Sequence, residues 1–303
     1  MSAADAVGVI GLGSMGMGVA KSLIRAGIET WGVDVRDSAL LELEEAGGKG
    51  ASNPAELGRH VETVVVLVIN ANQTQAALFG EAGLASTLAA GSVVIASATV
   101  PADVAIQIGQ HLAERGIDMI DGPVSGGSTG ANAGELSIMA SGPDHAFDKA
   151  APALEAIAKT VYRLGPNHGT GSTVKTVNQL LAGVHIAAAA EAMALGIQAG
   201  IDPHALFEVI SNSAGASWMF NNRVPHILDG DYAPRSAIDI FVKDLGIVLE
   251  TGKRVTLPLP LTASAHQQFL AAASAGLGRE DDSAVIKVFQ KLAGFELPER
   301  KAD

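Results

Sequence analysis

Apolar positions in the first half of the chain fall into short β-rich runs: Ala6–Ile10, Thr30–Val33, Thr63–Ile69, Ser92–Ala96, Met119–Asp121, Leu136–Ala140 and Val161–Leu164. Stretches with apolar residues at helical spacing lie between them, among them Met15–Ala26, Ser38–Ala46, Ala102–Arg115 and His145–Ala158. Strands alternating with helices of this length are joined by crossovers, and crossovers link parallel strands. The pattern predicts an α/β fold with a doubly wound parallel sheet.

After Gly165-Pro166 the alternation stops. The remainder of the chain reads as helix: a long one from about residue 168 to 200, then Pro203–Ser213, Ser217–Leu228, Ala237–Arg254, Leu261–Ala275 and Ser283–Leu292. The expected organisation is an α/β domain over residues 1–165 and an all-α domain over 166–303, joined by the long helix. Leu180–Ile201 is the most membrane-like stretch, but His185, Glu191 and Gln198 interrupt it, which fits a buried core helix better than a span.

Composition narrows the picture. Apolar residues make up 48% and charged residues 17% of 303 positions, which is the balance of a globular protein. A net charge of −12 disfavours nucleic acid or an anionic membrane as the main partner. With no cysteine, thiol catalysis, disulfides and Cys-based metal sites are excluded, and the eight histidines form no recognisable ligand pair with nearby carboxylates, so no metal is expected. The first residues lack the basic segment of a signal peptide, and a cytoplasmic enzyme is the expectation.

The run Gly11-Leu12-Gly13-Ser14-Met15-Gly16 follows a strand and opens a helix, with glycines in G-x-G-x-x-G spacing. Gly11 permits the tight turn, Gly13 lets the backbone approach a pyrophosphate at the helix N-terminus, and Gly16 allows close helix–strand packing. The next strand ends at Asp34, 18 residues past Gly16, where a carboxylate can accept both ribose hydroxyls and repel a 2′-phosphate. That favours NAD over NADP, although Arg36 is a residue type that can receive such a phosphate. The loops Val68-Ile69-Asn70 and Ala96-Ser97-Ala98-Thr99 follow later strands and are further candidates for cofactor contact, with a helix cap as the alternative for Thr99.

Ser125-Gly126-Gly127 follows Asp121-Gly-Pro-Val and offers adjacent backbone N–H groups and a hydroxyl, suited to gripping a carboxylate. Between Leu164 and Ala190 the only charged side chain is Lys175, and Asn178 lies three residues on, on the same face if the segment is helical. Two readings of Lys175 stand at this point: a buried lysine whose lowered pKa suits it to proton transfer, or a snorkelling surface residue. Lys243 has Asp239 four residues before it and Asp244 beside it, so a surface ion pair competes with a functional role.

These motifs occur together in one order. The glycine fingerprint, Asp121–Gly127 with Gly130 and Gly134, Gly169-Thr-Gly171 leading to Lys175-Thr-Val-Asn178, and Lys243-Asp244 resemble the β-hydroxyacid dehydrogenases over essentially the whole chain. That family includes enzymes for 3-hydroxyisobutyrate and tartronate semialdehyde. Within it, Gln179–Ile186, Ser217–Phe220 and Asn222–Ser236 are most similar to the branch that oxidises L-threonate. Many members have two asparagines after the lysine, whereas here Asn178 is followed by Gln179.

The resemblance implies a Rossmann-type domain, NAD as cofactor, a small hydroxy acid as substrate and a homo-oligomer built through the helical domain. It implies Lys175 as catalytic base, Asn178 orienting the hydroxyl, Ser125, Gly126 and Gly127 holding the carboxylate, Thr99 on the cofactor and Lys243 near the nicotinamide. Relatives that reduce imines usually carry Asp or Tyr in place of the lysine, and non-catalytic relatives have lost it. Lys175 counts against both.

Overall fold

A computed structural model describes residues 6–300. By its internal contacts the chain divides into two units, one ending at Lys175 and the other starting at Thr176. The first unit runs β1 (Val7–Ile10), α1 (Ser14–Arg25), β2 (Thr30–Val33), α2 (Asp37–Glu45), β3 (Lys49–Gly50), α3 (Pro54–Leu57), β4 (Thr63–Val66), α4 (Ala71–Phe79), β5 (Val93–Ala96) and α5 (Ala102–Ala113). It continues through β6 (Asp118–Asp121), β7 (Val124–Ser125), α6 (Gly127–Ala133), β8 (Leu136–Ala140), α7 (Asp144–Ile157) and β9 (Ala158–Arg163).

Six strands form a parallel sheet in the order β3-β2-β1-β4-β5-β6. β1, β4 and β5 are buried along their whole length, as parallel strands covered on both faces must be. Successive side chains of a strand point to opposite faces. Val9, Val65, Ile95 and Ile120 therefore join one core with Leu23 of α1 and Phe147 of α7. Ile10, Val64, Val66, Val94 and Met119 join another with Leu57, Leu78 and Leu112.

One expectation needs correction: Leu136–Ala140 and Val161–Leu164 do not extend the parallel sheet. β8 and β9 pair with β7 in a separate sheet ordered β7-β8-β9. The pair β7/β8 is antiparallel, with Val124 opposite Ile138 and Ser125 opposite Ser137. Its connection holds only the seven-residue α6, too short for a parallel crossover. The 14-residue α7 is long enough, and β8 and β9 are parallel. Asp121 joins the two sheets, exchanging backbone hydrogen bonds with Ser141 at 2.9 Å in both directions.

α1 packs tightly on α6. A Cβ at Gly18 would lie 2.8 Å from the Asn132 nitrogen and 2.9 Å from the Ala131 carbonyl carbon, so only glycine permits this approach. Ser22 Oγ donates to the Ala131 carbonyl at 2.8 Å, and the Arg25 guanidinium donates to that of Asn132.

The helix α8 (Thr170–Gln198) begins in the first unit and runs on into the second. Among the described residues it alone is long and apolar enough to cross a membrane, with mean hydropathy 1.8 over a window that is half buried within the protein. It is followed by α9 (Pro203–Ser211), α10 (Trp218–Leu228), α11 (Ile238–Arg254), α12 (Pro260–Ala272) and α13 (Ile286–Ala293). Met193, Phe220, Val224, Leu245, Phe269 and Ile286 fill the core of this unit.

A buried polar anchor fixes the approach to α11. Asp281 accepts from His226 Nδ1 at 2.9 Å, from Ser283 Oγ at 2.6 Å and from the Arg235 nitrogen at 3.1 Å. Next to it, Asp282 is held by the Arg223 guanidinium, with Nε at 2.5 Å and Nη2 at 3.1 Å. Burial alone would push the Asp281 carboxyl up, but the bonds from His226 and Ser283 outweigh it and hold the group below its usual range. Such a group stabilises the fold above its unfolded-state pKa, and that contribution is lost as pH falls through the lowered folded-state value. Asp281→Asn is expected to cost about 1–3 kcal/mol at neutral pH, read from urea unfolding. The gap between variant and wild type should narrow as pH drops below about 4, where the unfolded chain's carboxyl takes up its proton.

Candidate active site

In a parallel sheet every strand ends at the same edge, and the candidate residues of the first unit collect there. Gly11 follows β1, Asp34 follows β2, Val68 and Asn70 lie after β4, Thr99 lies after β5, and Asp121 closes β6. Gly11 has φ +91°, a region that glycine adopts without cost, and a Cβ there would meet the Leu67 carbonyl oxygen at 2.7 Å. A Cβ at Gly16 would lie 1.8 Å from the Gly11 carbonyl oxygen, so this glycine is fixed by packing of α1 on the turn.

Gly13 is different, because a Cβ there would meet nothing within 4 Å. Gly13 is also the N-cap of α1, which has no side-chain cap and no acidic residue in its first turn. Bare N–H groups facing open space suit a pyrophosphate, so the loop from Gly11 through Leu12, Ser14 and Met15 to Gly16 fits a dinucleotide. The Leu12 nitrogen donates to Asp34 Oδ2 at 2.7 Å, tying the glycine turn to the residue expected at the ribose.

Arg36 is engaged in the same knot. Its nitrogen and Nε donate to Asp34 Oδ1 at 3.0 and 3.1 Å, and its Nη2 donates to the Leu12 carbonyl at 2.9 Å. Burial works to raise the Asp34 carboxyl, but the bonds from Arg36 and Leu12 outweigh it and keep the group below its usual value. A carboxylate therefore stands at the end of β2, with the arginine drawn onto it.

One other candidate has a local duty. Asn70 caps α4 by accepting from the Gln73 nitrogen at 2.9 Å, while Gln73 Oε1 accepts from the Ile69 nitrogen at 2.9 Å. The N-cap of α5 is Pro101, which makes no side-chain cap bond, and Thr99 lies two residues before it. In the Ser125-Gly126-Gly127 turn both glycines have positive φ, +130° and +63°. A Cβ on Gly127 would meet no atom within 4 Å, leaving room beside the exposed backbone.

Lys175 is 7% exposed, in the second turn of α8, so the surface reading of this lysine does not hold. The start of its helix is capped from a distance by the side chains of Asp121 and Ser141. Asn178 follows one turn later, in the part of α8 belonging to the second unit.

There the structure builds a chain of polar contacts that sequence patterns do not reveal. Asn178 Nδ2 donates to Gln179 Oε1 at 2.9 Å, and the buried Gln179 donates through Nε2 to Asp244 Oδ2 at 2.5 Å. Lys243 Nζ lies 2.7 Å from Asp244 Oδ1, so its carboxylate partner is Asp244. Asp244 is 2% exposed. A signal for it was present, since Asp244 falls within the apolar stripe of Phe241, Leu245 and Val248 on α11. Gln179 was visible only as a departure from the family's second asparagine. Among the described residues no group of three or more His, Asp or Glu side chains could hold a metal ion.

Comparison with known proteins agrees with this geometry. Residues 6–165 match the profile of the NAD-binding domain of 6-phosphogluconate dehydrogenase, and residues 169–289 match the NAD-binding domain of NADP-dependent 3-hydroxyisobutyrate dehydrogenase. The chain belongs to the β-hydroxyacid dehydrogenases and is an NAD-dependent oxidoreductase acting on a CH–OH group. It is 58% identical to L-threonate dehydrogenase of Cupriavidus necator, over 96% of this chain and 97% of that one. L-threonate dehydrogenase of Escherichia coli K12 is 52% identical, covering 98% and 97%. A crystal structure of 3-hydroxyisobutyrate dehydrogenase from Salmonella typhimurium superposes with a TM-score of 0.89 at 49% identity, covering 93% of this chain and 99% of that one.

Proposed function

We propose that the protein oxidises L-threonate to its 2-oxo acid. The observation that carries this reading is the 58% identity with an L-threonate dehydrogenase along nearly the full length of both chains. Bound NAD supplies the hydride acceptor. The chain's own residues then have three tasks: to hold the acid, to orient the hydroxyl and to take its proton.

Ser125 and the backbone N–H groups of Gly126 and Gly127 hold the carboxylate. Asn178 orients the C2 hydroxyl, its amide fixed in turn by Gln179. Lys175, buried in the second turn of α8, accepts the hydroxyl proton at Nζ as the C2–H bond breaks and the carbonyl forms. Lys243 would contribute on the nicotinamide side of the site when the cofactor is bound. The loop from Gly11 to Gly16, with Leu12, Gly13, Ser14 and Met15, takes the pyrophosphate; Asp34 takes the ribose; Val68, Asn70 and Thr99 line the rest of the cofactor site. Asp34 and the engaged Arg36 set the preference for NAD over NADP.

The name of the Salmonella structure favours 3-hydroxyisobutyrate as a second reading. Polar residues around Ser211–Asn222 suit a polyol better than a methyl-bearing acid. The rest of the reading is a cytoplasmic homo-oligomer assembled through the helical unit, whose Leu195, Leu261 and Leu292 are strongly exposed. In it α8 is a core helix, not a membrane span, and the partners include no nucleic acid.

Turnover of a panel of short hydroxy acids with NAD tests the substrate: kcat/KM is expected to be highest for L-threonate, and a higher value for 3-hydroxyisobutyrate or for a tartronate semialdehyde pair would displace it. Lys175→Ala should lower kcat at least ~100-fold with NAD affinity unchanged; near-normal turnover in that variant would refute the assigned base. Asp34→Ala should weaken NAD and raise the relative use of NADP, and unchanged discrimination would remove Asp34 from the ribose site.

A further inference from the structure

The geometry points to Asp121 as the positioning residue that sets Lys175 against the carboxylate-gripping turn. This rests on Lys175 being the base. Asp121 is the last residue of β6, is 1% exposed, and starts the run that ends in Ser125-Gly126-Gly127. Its backbone is fixed on both sides, to Ala96 through the Gly122 nitrogen at 3.0 Å and to Ser141 through its own nitrogen and oxygen at 2.9 Å. The turn is therefore registered to Asp121 through only four residues of chain.

The side chain of Asp121 does something else. Its Oδ2 accepts from the Gly169 nitrogen at 2.9 Å, from the Ser172 nitrogen at 3.0 Å and from Ser141 Oγ at 3.3 Å, and its Oδ1 accepts from Ser172 Oγ at 2.6 Å. Ser141 Oγ in turn accepts from the Gly171 nitrogen at 3.1 Å. The Gly169 carbonyl already accepts the first intrahelical bond, from the Thr173 nitrogen at 2.9 Å. These donors are the orphan N–H groups at the start of α8, normally satisfied by a capping residue of the same segment. Here the cap comes from 48 to 51 residues away, off the end of a strand.

The fit is close enough to define a position. A Cβ at Gly171 would lie 2.4 Å from the Asp121 carbonyl oxygen and 2.4 Å from that of Met139, so the helix start lies directly against the ends of β6 and β8. Gly169 has φ +91°, which lets the chain turn into the helix at this point. Lys175 follows Ser172 by three residues, less than one turn, so any shift of the helix start is carried to it undiminished. A carboxylate at a helix N-terminus is also favoured by the dipole, and burial strengthens its bonds.

The test is a double-mutant cycle. Asp121→Ala and Asp121→Asn are each placed in the wild-type and Lys175→Ala backgrounds, with kcat, KM for the acid, NAD affinity and melting temperature measured for each. Asp121→Ala is expected to lower kcat about 100-fold, the cost of an ångström-scale misplacement, with NAD affinity unchanged. Asp121→Asn should recover most of kcat, because its amide oxygen can replace Oδ2 and its NH2 can donate to Ser172 Oγ. In the Lys175→Ala background Asp121→Ala should add little, since no base remains to be misplaced.

An equal loss in both backgrounds, or a variant that loses melting temperature but keeps kcat, would overturn the positioning role while leaving the base assignment intact. Should Asp121→Ala fail to fold, Ser172→Ala removes one bond of the same cap and carries the same comparison, with a smaller loss expected. Near-normal turnover of Lys175→Ala alone would instead strike the underlying assignment of the base.

Discussion

Parallel pairing is the constraint on which the rest of the first unit depends. Six strands running one way must all end at one edge, and each end needs a loop that is irregular by necessity. Irregular loops are where glycines with positive φ, bare helix N-termini and carboxylates that tie one loop to another can be placed without breaking a ladder. Gly11, Asp34, Thr99 and Asp121 stand in one neighbourhood for that reason, although they are spread over more than a third of the chain. The dinucleotide cradle is thus a property of the sheet's polarity before it is a property of any one motif.

The helical unit solves a different problem. Lys243, Asp244, Asn178 and Gln179 occupy α8 and α11, and Gln179 and Asp244 are buried. Each polar group is acceptable because the next one satisfies it: Asn178 to Gln179, Gln179 to Asp244, Asp244 to Lys243. The glutamine in place of the family's second asparagine is one methylene longer, and its amide reaches the aspartate of the neighbouring helix.

Much of the fold was legible because its signals are local. Thr30–Val33 and Leu136–Ala140 are strands at the residues where their composition places them, and Gly11, Gly13 and Gly16 sit in the turn their spacing requires. The separate sheet was not legible. β7 is two residues long, too short to show alternation, and its antiparallel pairing depends on the length of α6. Likewise Asp121 could be read as part of a glycine-rich motif but not as a helix cap, because its partners Gly169 and Ser172 are 48 and 51 residues away. Gln179 and Asp244 are 65 apart. Contacts at that separation leave no period in a sequence; they arise from the topology once it is known.

The approach of α1 to α6 at Gly18 has a mechanical consequence. One helix begins at the glycine loop and the other at the Gly126–Gly127 turn, so the two loops are the tips of a pair of rods fused at the backbone. Ser22 and Arg25, further along α1, bond the carbonyls of the same two residues of α6, Ala131 and Asn132. The tips therefore keep a fixed separation, like the jaws of a set gauge. Any side chain larger than a hydrogen at Gly18 would push the rods apart and so displace both jaws at once.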